Sequence, residues 1–276
     1  MTGVALTRTY RVAMGIAGPI VRRWGRLEVT GVELLDRPGP LLIVANHDSQ
    51  WDPVVIGVSA VKHRQIRALA KSELWKNKAL AKVLDGMGQI PIERGRGDAK
   101  AMDAAAAVLR DGACIGVFPE GTVSRGAVTR AHSGAGRLAL AVPDVYVVCC
   151  RVVGSVDLVR FPKRPRVKIE YFEPSGGQPQ PGESAISLMR RTVAEIRVGT
   201  PYAIPGRKKT AAKYQARAVA AAQAENEKAA NEKAAKEKAA KEKAKSEKAA
   251  SEKAATETGA TESAATQPVE VTPPEM

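Results

Sequence analysis

Aromatic residues make up only 4% of this chain of 276 residues, and no stacking platform or nucleic-acid signature accompanies them, which argues against a nucleic-acid partner. Cysteine is scarce. Cys114, Cys149 and Cys150 lie in apolar, strand-like runs, and the adjacent pair would face opposite sides of a strand, so neither a disulfide framework nor a metal site is indicated. A reducing compartment fits that usage. The three histidines form no metal-ligand spacing with Cys or Glu, and neither a metal nor another cofactor is expected. Long apolar runs are missing as well. Val12 to Val21, the longest at ten residues, is broken by Gly15, Gly18 and Pro19, too short to span a bilayer. Arg22-Arg23 follows it where a secretory leader would show small residues.

What the sequence has in excess is positive charge, +14 overall and unevenly spread. Residues 223–276 hold nine Lys against eleven Glu, leaving 34 basic against 18 acidic residues in the first 222. A body this basic seeks anions, and with nucleic acid disfavoured, lipid headgroups or phosphorylated substrates are the expected partners.

At 100° per residue, Leu6, Tyr10, Ala13, Met14, Ala17, Ile20, Val21 and Trp24 share one arc, and Arg8, Arg11, Arg22, Arg23 and Arg26 another. Residues 1–26 thus read as a basic amphipathic helix, bent near Pro19, whose apolar arc would lie on an anionic membrane surface. From residue 27 to about 204, β and α patterns alternate. Strands are predicted near 41–45, 66–71, 88–92, 113–118, 146–153 and 166–172, and helices near 53–61, 73–85, 99–110, 133–141 and 183–198. Such alternation implies an α/β layered domain with a mixed, largely parallel sheet flanked by helices. The segment PYAIPGRKK marks a linker, and a Glu-Lys-Ala repeat of five-residue period follows within residues 205–276. Each period advances about 140° around a helix, so no constant apolar seam forms; a solvated helical spacer with a disordered tail is predicted.

Polar clusters collect where strands are predicted to end. In LLIVANHDSQWDPVVI, a buried strand runs into His47, and Asp52-Pro53 reads as a helix start with Asp52 at the N-cap. Loops at the carboxyl ends of strands are where α/β layers bind ligands. GQIPIERGRG places Arg94 and Arg96 among glycines, a setting suited to phosphate, and CIGVFPEGTVSRG runs a strand into Glu120, Gly121 and Thr122. RLALAVPDVYVVCCRVVGS closes a helix and a strand on Gly154.

Taken in order, NHDSQWD, GQIPIER, FPEGTVSR and VYVVCCRVVG resemble the four sequence blocks of the glycerolipid acyltransferases typified by 1-acylglycerol-3-phosphate O-acyltransferases, over roughly residues 27–200. The resemblance implies an acyltransferase fold with His47 and Asp52 as the catalytic pair, a thioester donor (acyl-CoA or acyl carrier protein) and a lysophospholipid acceptor. Lysophosphatidic acid is the expected acceptor, with glycerol 3-phosphate or another lysophospholipid as alternatives. Such chemistry needs a base for the hydroxyl proton, a role that suits imidazole, and an Asp to fix its tautomer; no protein nucleophile is required. Backbone amides at the Asp52-Pro53 helix start are candidate oxyanion donors.

By the same resemblance the acceptor's phosphate would meet Arg94 and the Glu120-Gly121-Thr122 loop, with Glu120 near the glycerol hydroxyls. Two departures bear on this. Val123 stands where the family has Arg, so Arg125 is expected to share the phosphate with Arg94, and Cys149 and Arg151 replace a usual Pro and an apolar residue. The implied setting is peripheral, at the cytoplasmic face of the plasma membrane. A non-catalytic lipid-binding module is the reading from another class, and retention of both His47 and Asp52 argues against it. Ser49 and Ser124 lack the glycine-flanked elbow of a serine hydrolase.

Overall fold

A computed structural model describes residues 6–93, 98–160 and 164–203. Arg94 and the 205–276 segment, with its predicted spacer and tail, lie outside the described residues.

Leu41–Ala45, the strand β2, is buried at all five positions, as a strand covered on both faces must be. Its neighbours β5 (Cys114–Val117) and β6 (Tyr146–Val153) run parallel to it, with Leu41 opposite both Cys114 and Tyr146. Beyond β5 lie β3 (Ile66–Lys71) and β4 (Ile90–Ile92); beyond β6 lie β7 (Lys168–Phe172) and β1 (Glu28–Thr30). The order is β1-β7-β6-β2-β5-β3-β4, parallel throughout except where β7 turns antiparallel to β6.

The two-residue period of β2 divides the core. Leu41, Ile43 and Ala45 join Val148 and Cys150 on the face covered by α1 (Arg8–Pro19) and α2 (Asp52–Ala60). Leu42 and Val44 join Val147 and Cys149 on the other, under α4 (Ala99–Arg110), α5 (Gly134–Ala141) and α6 (Ala185–Val198). Cys149 and Cys150 therefore point to opposite faces, and all three cysteines are free and buried.

The structure departs from the predicted pattern in four places. The helix expected over 73–85 is a 3-10 turn (Ser72–Lys76) followed by α3 (Lys78–Gly86), because the Asn77 side chain accepts the amides of Ala79 and Leu80 and starts a fresh helix. The three-residue β1 and the 3-10 turns Val32–Asp36 and Ser155–Val159 were too short to leave a periodic signature. Past Pro19 the chain continues as a π-helical turn, Ile20–Trp24, in which the Gly25 amide reaches the Ile20 carbonyl.

The fourth difference concerns the apolar arc of α1. Tyr10, Met14 and Val21 are buried, Leu6, Ala13, Ala17 and Trp24 pack on the same core cluster, and the Tyr10 hydroxyl donates to the Gly57 carbonyl at 3.3 Å. The domain's own α2 uses the arc assigned to a membrane. Burying those side chains against protein needs no second phase. What α1 leaves outside is a different stripe, Val12, Ile16 and Ile20, at 62%, 71% and 42% exposure, and α3 adds exposed Leu80 and Val83.

Candidate active site

Three parallel strands, β6, β2 and β5, end side by side, and the loop that follows each carries part of the site. Immediately after β2, Asn46 bridges to β6, accepting the Val152 amide at 2.8 Å and donating to the Val152 carbonyl at 2.9 Å. This anchor fixes where the next residue begins. His47 is buried, its Nδ1 lies 3.1 Å from Oδ2 of Asp52, and its ring stacks on Phe118 with centroids 4.1 Å apart and planes at 19°. Phe118 follows β5, so the imidazole is held between two strand ends.

Asp52 is fully buried, and its role differs from the one expected. It is the first residue of α2 and not its cap; Trp51 precedes it with no side-chain cap bond. The carboxylate turns back over the loop instead, where Oδ2 accepts the amides of Asp48 at 2.7 Å and Ser49 at 2.8 Å besides facing Nδ1. On Oδ1 it takes the Ser155 hydroxyl. Pro53, in the first turn, brings no amide hydrogen that would need a partner there. Oδ2 already accepts two backbone amides, a setting that suits it as the acceptor toward Nδ1 as well, with the shared hydrogen on the imidazole. The same pattern occupies several amides of that turn: those of Asp48 and Ser49 are spent on Asp52, Trp51 donates to Ser49 Oγ and Asp52 to the Ser49 carbonyl.

Ser155 reaches Asp52 because Gly154 turns at φ +81°, where an added Cβ would lie 2.1 Å from the Arg166 carbonyl oxygen. Gly154 closes the fourth block, but nothing in the sequence linked Ser155 to Asp52.

The loop after β5 folds onto the first. The Ser124 amide donates to the His47 carbonyl at 2.8 Å, and the Ser124 hydroxyl to Asp48 Oδ1. Gly121, at φ +70°, lets the chain pass beside His132, whose Cδ2 would stand 3.1 Å from an added Cβ. Glu120, Gly121, Thr122 and His132 line a cavity of about 720 Å³ whose other walls include Leu69, Met102 and Leu138. Phe118, against the His47 ring, lines it too.

Glu120 is buried beside Arg197 of α6, whose Nε donates to Oε1 at 2.7 Å; Nη1 of the same guanidinium reaches Asp48 Oδ2 at 2.8 Å. Burial raises the Glu120 carboxyl above the usual carboxylate range, and Arg197 opposes that without cancelling it. For Arg197 burial works against the charge, but Asp48 and Glu120 outweigh it and the guanidinium is held more firmly protonated than usual.

Of the residues expected to act together, the structure joins His47 with Asp52 and lines one cavity with Glu120, Gly121 and Thr122. Arg125 is exposed, at φ 51°, and is not among the residues lining that cavity. Val123, which stands in the place of an Arg, is buried, leaving little room for a longer side chain. Sequence reasoning missed Asp48, Ser155 and Arg197. Among the described residues no cluster of His, Cys, Asp and Glu is arranged to hold a metal.

Residues 26–153 match the family model described as Acyltransferase. The chain is 30% identical over 144 residues to the 1-acyl-sn-glycerol-3-phosphate acyltransferase of Bacillus subtilis (strain 168), spanning 50% of this chain and 70% of that protein. It is 36% identical over 107 residues to the protein of the same name from Borreliella burgdorferi, spanning 38% of this chain and 42% of the relative. Among solved structures it resembles the 1-acyl-sn-glycerophosphate (LPA) acyltransferase PlsC from Thermotoga maritima, with a TM-score of 0.51, 21% identity, and coverage of 70% of this chain and 83% of that one. At that identity the likeness speaks for the fold.

Proposed function

The chain belongs to the acyltransferase family, and from that premise we propose that it moves a fatty acyl group from a thioester to the free hydroxyl of lysophosphatidic acid, forming phosphatidic acid. The observation that carries this reading is the His47–Asp52 pair, whose imidazole stacks on Phe118, a wall of the cavity that Glu120, Gly121 and Thr122 also line. With Nδ1 engaged by Asp52, Nε2 is the basic nitrogen and takes the proton of the acceptor hydroxyl as its oxygen attacks the thioester carbonyl. Asp52 stabilises the imidazolium so formed. Collapse of the tetrahedral intermediate breaks the carbon–sulfur bond, and the thiolate leaves with the imidazolium proton. The donor is acyl-CoA or acyl carrier protein, and the 720 Å³ cavity, with apolar walls and a polar loop, suits an amphipathic substrate.

The acceptor assignment draws on the names of the two relatives and on the excess basic charge. Arg94 remains a proposed phosphate partner; Arg125 is the weaker one, since it stands away from the cavity lining. We place the protein peripherally, at the cytoplasmic face of the plasma membrane. No described helix is long and apolar enough to cross a membrane. The proposed contact is the outward stripe of Val12, Ile16 and Ile20, with exposed Arg8 and Arg23 at its ends. Residues 27–204 then form the acyltransferase domain, and 205–276 a linker and spacer.

Purified protein given lysophosphatidic acid, glycerol 3-phosphate or another lysophospholipid, each with acyl-CoA and acyl carrier protein in turn, tests the proposal. Phosphatidic acid formed from lysophosphatidic acid is the expected product. Lipid binding without turnover on any pair would leave a non-catalytic module.

A further inference from the structure

Arg197 lies in the last turn of α6, beyond the residues matched by the family model, and no motif contains it. Its guanidinium is nevertheless spent inside the site. Nε and Nη2 both reach Oε1 of Glu120, while Nη1 donates to Asp48 Oδ2 at 2.8 Å and to the Thr200 carbonyl at 3.4 Å. Tyr202 covers the guanidinium, 3.9 Å from its ring centroid. The Arg197, Asp48 and Glu120 side chains are 8%, 5% and 1% exposed, so water does little to screen the charges.

The end of α6 is itself held. Arg151 donates to the carbonyls of Glu195 at 2.9 Å and Ile196 at 3.3 Å, pairs with Glu170 at 2.8 Å, and lies over Phe172. Those two carbonyls belong to the last helical turn, where intrahelical partners run out and a cation is favoured. Gly199 follows, and an added Cβ there would sit 3.0 Å from Arg151 Cδ and Nε. The unexpected arginine in β6 thus has a structural use: it fixes the turn from which Arg197 reaches across.

We propose that Arg197 is a positioning residue for the acceptor, tying the loop after β2 to the loop after β5 and holding Glu120 with Oε1 committed and Oε2 left to accept a hydroxyl of the lysolipid's glycerol. Oε2 is buried and makes no hydrogen bond of good geometry, although the Thr129 hydroxyl is near enough to favour the charged carboxylate. A carboxylate so enclosed needs a fixed cation to stay charged and in one orientation. The inference rests on the reading that the cavity takes the acceptor.

The test uses the full chain as wild type, Arg197→Met, Glu120→Gln and the double variant, assayed on whichever of the three acceptors the wild type acylates. The same four proteins are titrated calorimetrically with short-chain lysophosphatidic acid, a readout that needs no turnover. Arg197→Met is expected to raise the acceptor KM, and weaken lysophosphatidic acid binding, by about tenfold or more, with donor KM within about twofold. Adding Glu120→Gln to it should cost no more than the larger single change, because both remove one interaction. Fully additive losses, equal rises in both KM values, or an unchanged acceptor KM would overturn the assignment. If Arg197→Met does not fold, Arg151→Met loosens the end of α6 with Arg197 still present. It should raise acceptor KM in the same sense, and an unchanged value there counts equally against the proposal. Loss of turnover on every acceptor in the wild type, with lysophosphatidic acid still bound through Arg197, would sink the acyltransferase reading and leave this one standing.

Discussion

Ser155 donates its hydroxyl to Oδ1 of Asp52, the carboxylate oxygen that His47 does not use. The pair joins the 3-10 turn after β6 to the loop after β2, so the orientation of the imidazole depends on a residue more than a hundred positions away. Ser155→Ala should leave that buried oxygen unsatisfied and cost about 1–3 kcal/mol of stability. Turnover should fall while both KM values stay near normal, which denaturant melts and steady-state kinetics together would show.

His47→Ala is expected to lower turnover by about 10²–10⁴-fold, the range for a lost general base. Lipid binding and secondary structure should persist, since His47 lies in the loop after β2 and in no helix or strand. Near-normal turnover would end the proposed mechanism. Asp52→Asn keeps the volume but puts an amide where three donors converge, so it should lose turnover and stability together.

Two faces of α1 should separate in vesicle co-sedimentation. Ile16→Glu places a charge on an exposed stripe, so stability should change by less than about 0.5 kcal/mol while binding to anionic vesicles weakens. Met14→Ala empties a core site and should cost about 2–5 kcal/mol without a specific effect on vesicles. The opposite result would return the membrane contact to the inward arc.

Burial pushes the Cys114 and Cys149 thiols up to about 12 and the Cys150 thiol well above its ordinary value. At about pH 8 all three should therefore be protonated and enclosed in the native protein. A thiol reagent should label none of them at a rate faster than unfolding, and three per chain in denaturant. Rapid native labelling of any one would show an opening of the sheet.

Ending the chain after residue 209 should leave turnover intact, because the Glu-Lys-Ala repeat offers no constant apolar seam to dock. Ending it after residue 196 removes Arg197 and Tyr202 and should cost acceptor binding. Turnover of the two truncated proteins on one acceptor separates these expectations.

Most of the elements, and the place of the site, were legible in local pattern. Apolar runs such as LLIVA have one stable use in water, a doubly covered strand, and His47, Phe118 and Glu120 follow such runs directly, so local pattern located them. Helices 99–110 and 133–141 were legible for the same reason, with Asp98 capping the first through the Ala101 amide. Periodicity showed two faces on α1, but it measures contrast and not the identity of the phase opposite. Whether Tyr10 and Met14 met a bilayer or α2 was a tertiary matter. Tertiary structure also decided what Asp52 does, because a carboxylate at a helix start can cap or turn back, and the choice depends on donors supplied by Ser155 and the loop at 48–49. Arg197 was illegible altogether: on α6 it is one of several arginines at helical spacing, and it becomes the partner of Asp48 and Glu120, 149 and 77 residues away, once the sheet order sets β6, β2 and β5 side by side. Local propensity is written in neighbours along the chain, whereas the compensation of buried charge is written in neighbours across it.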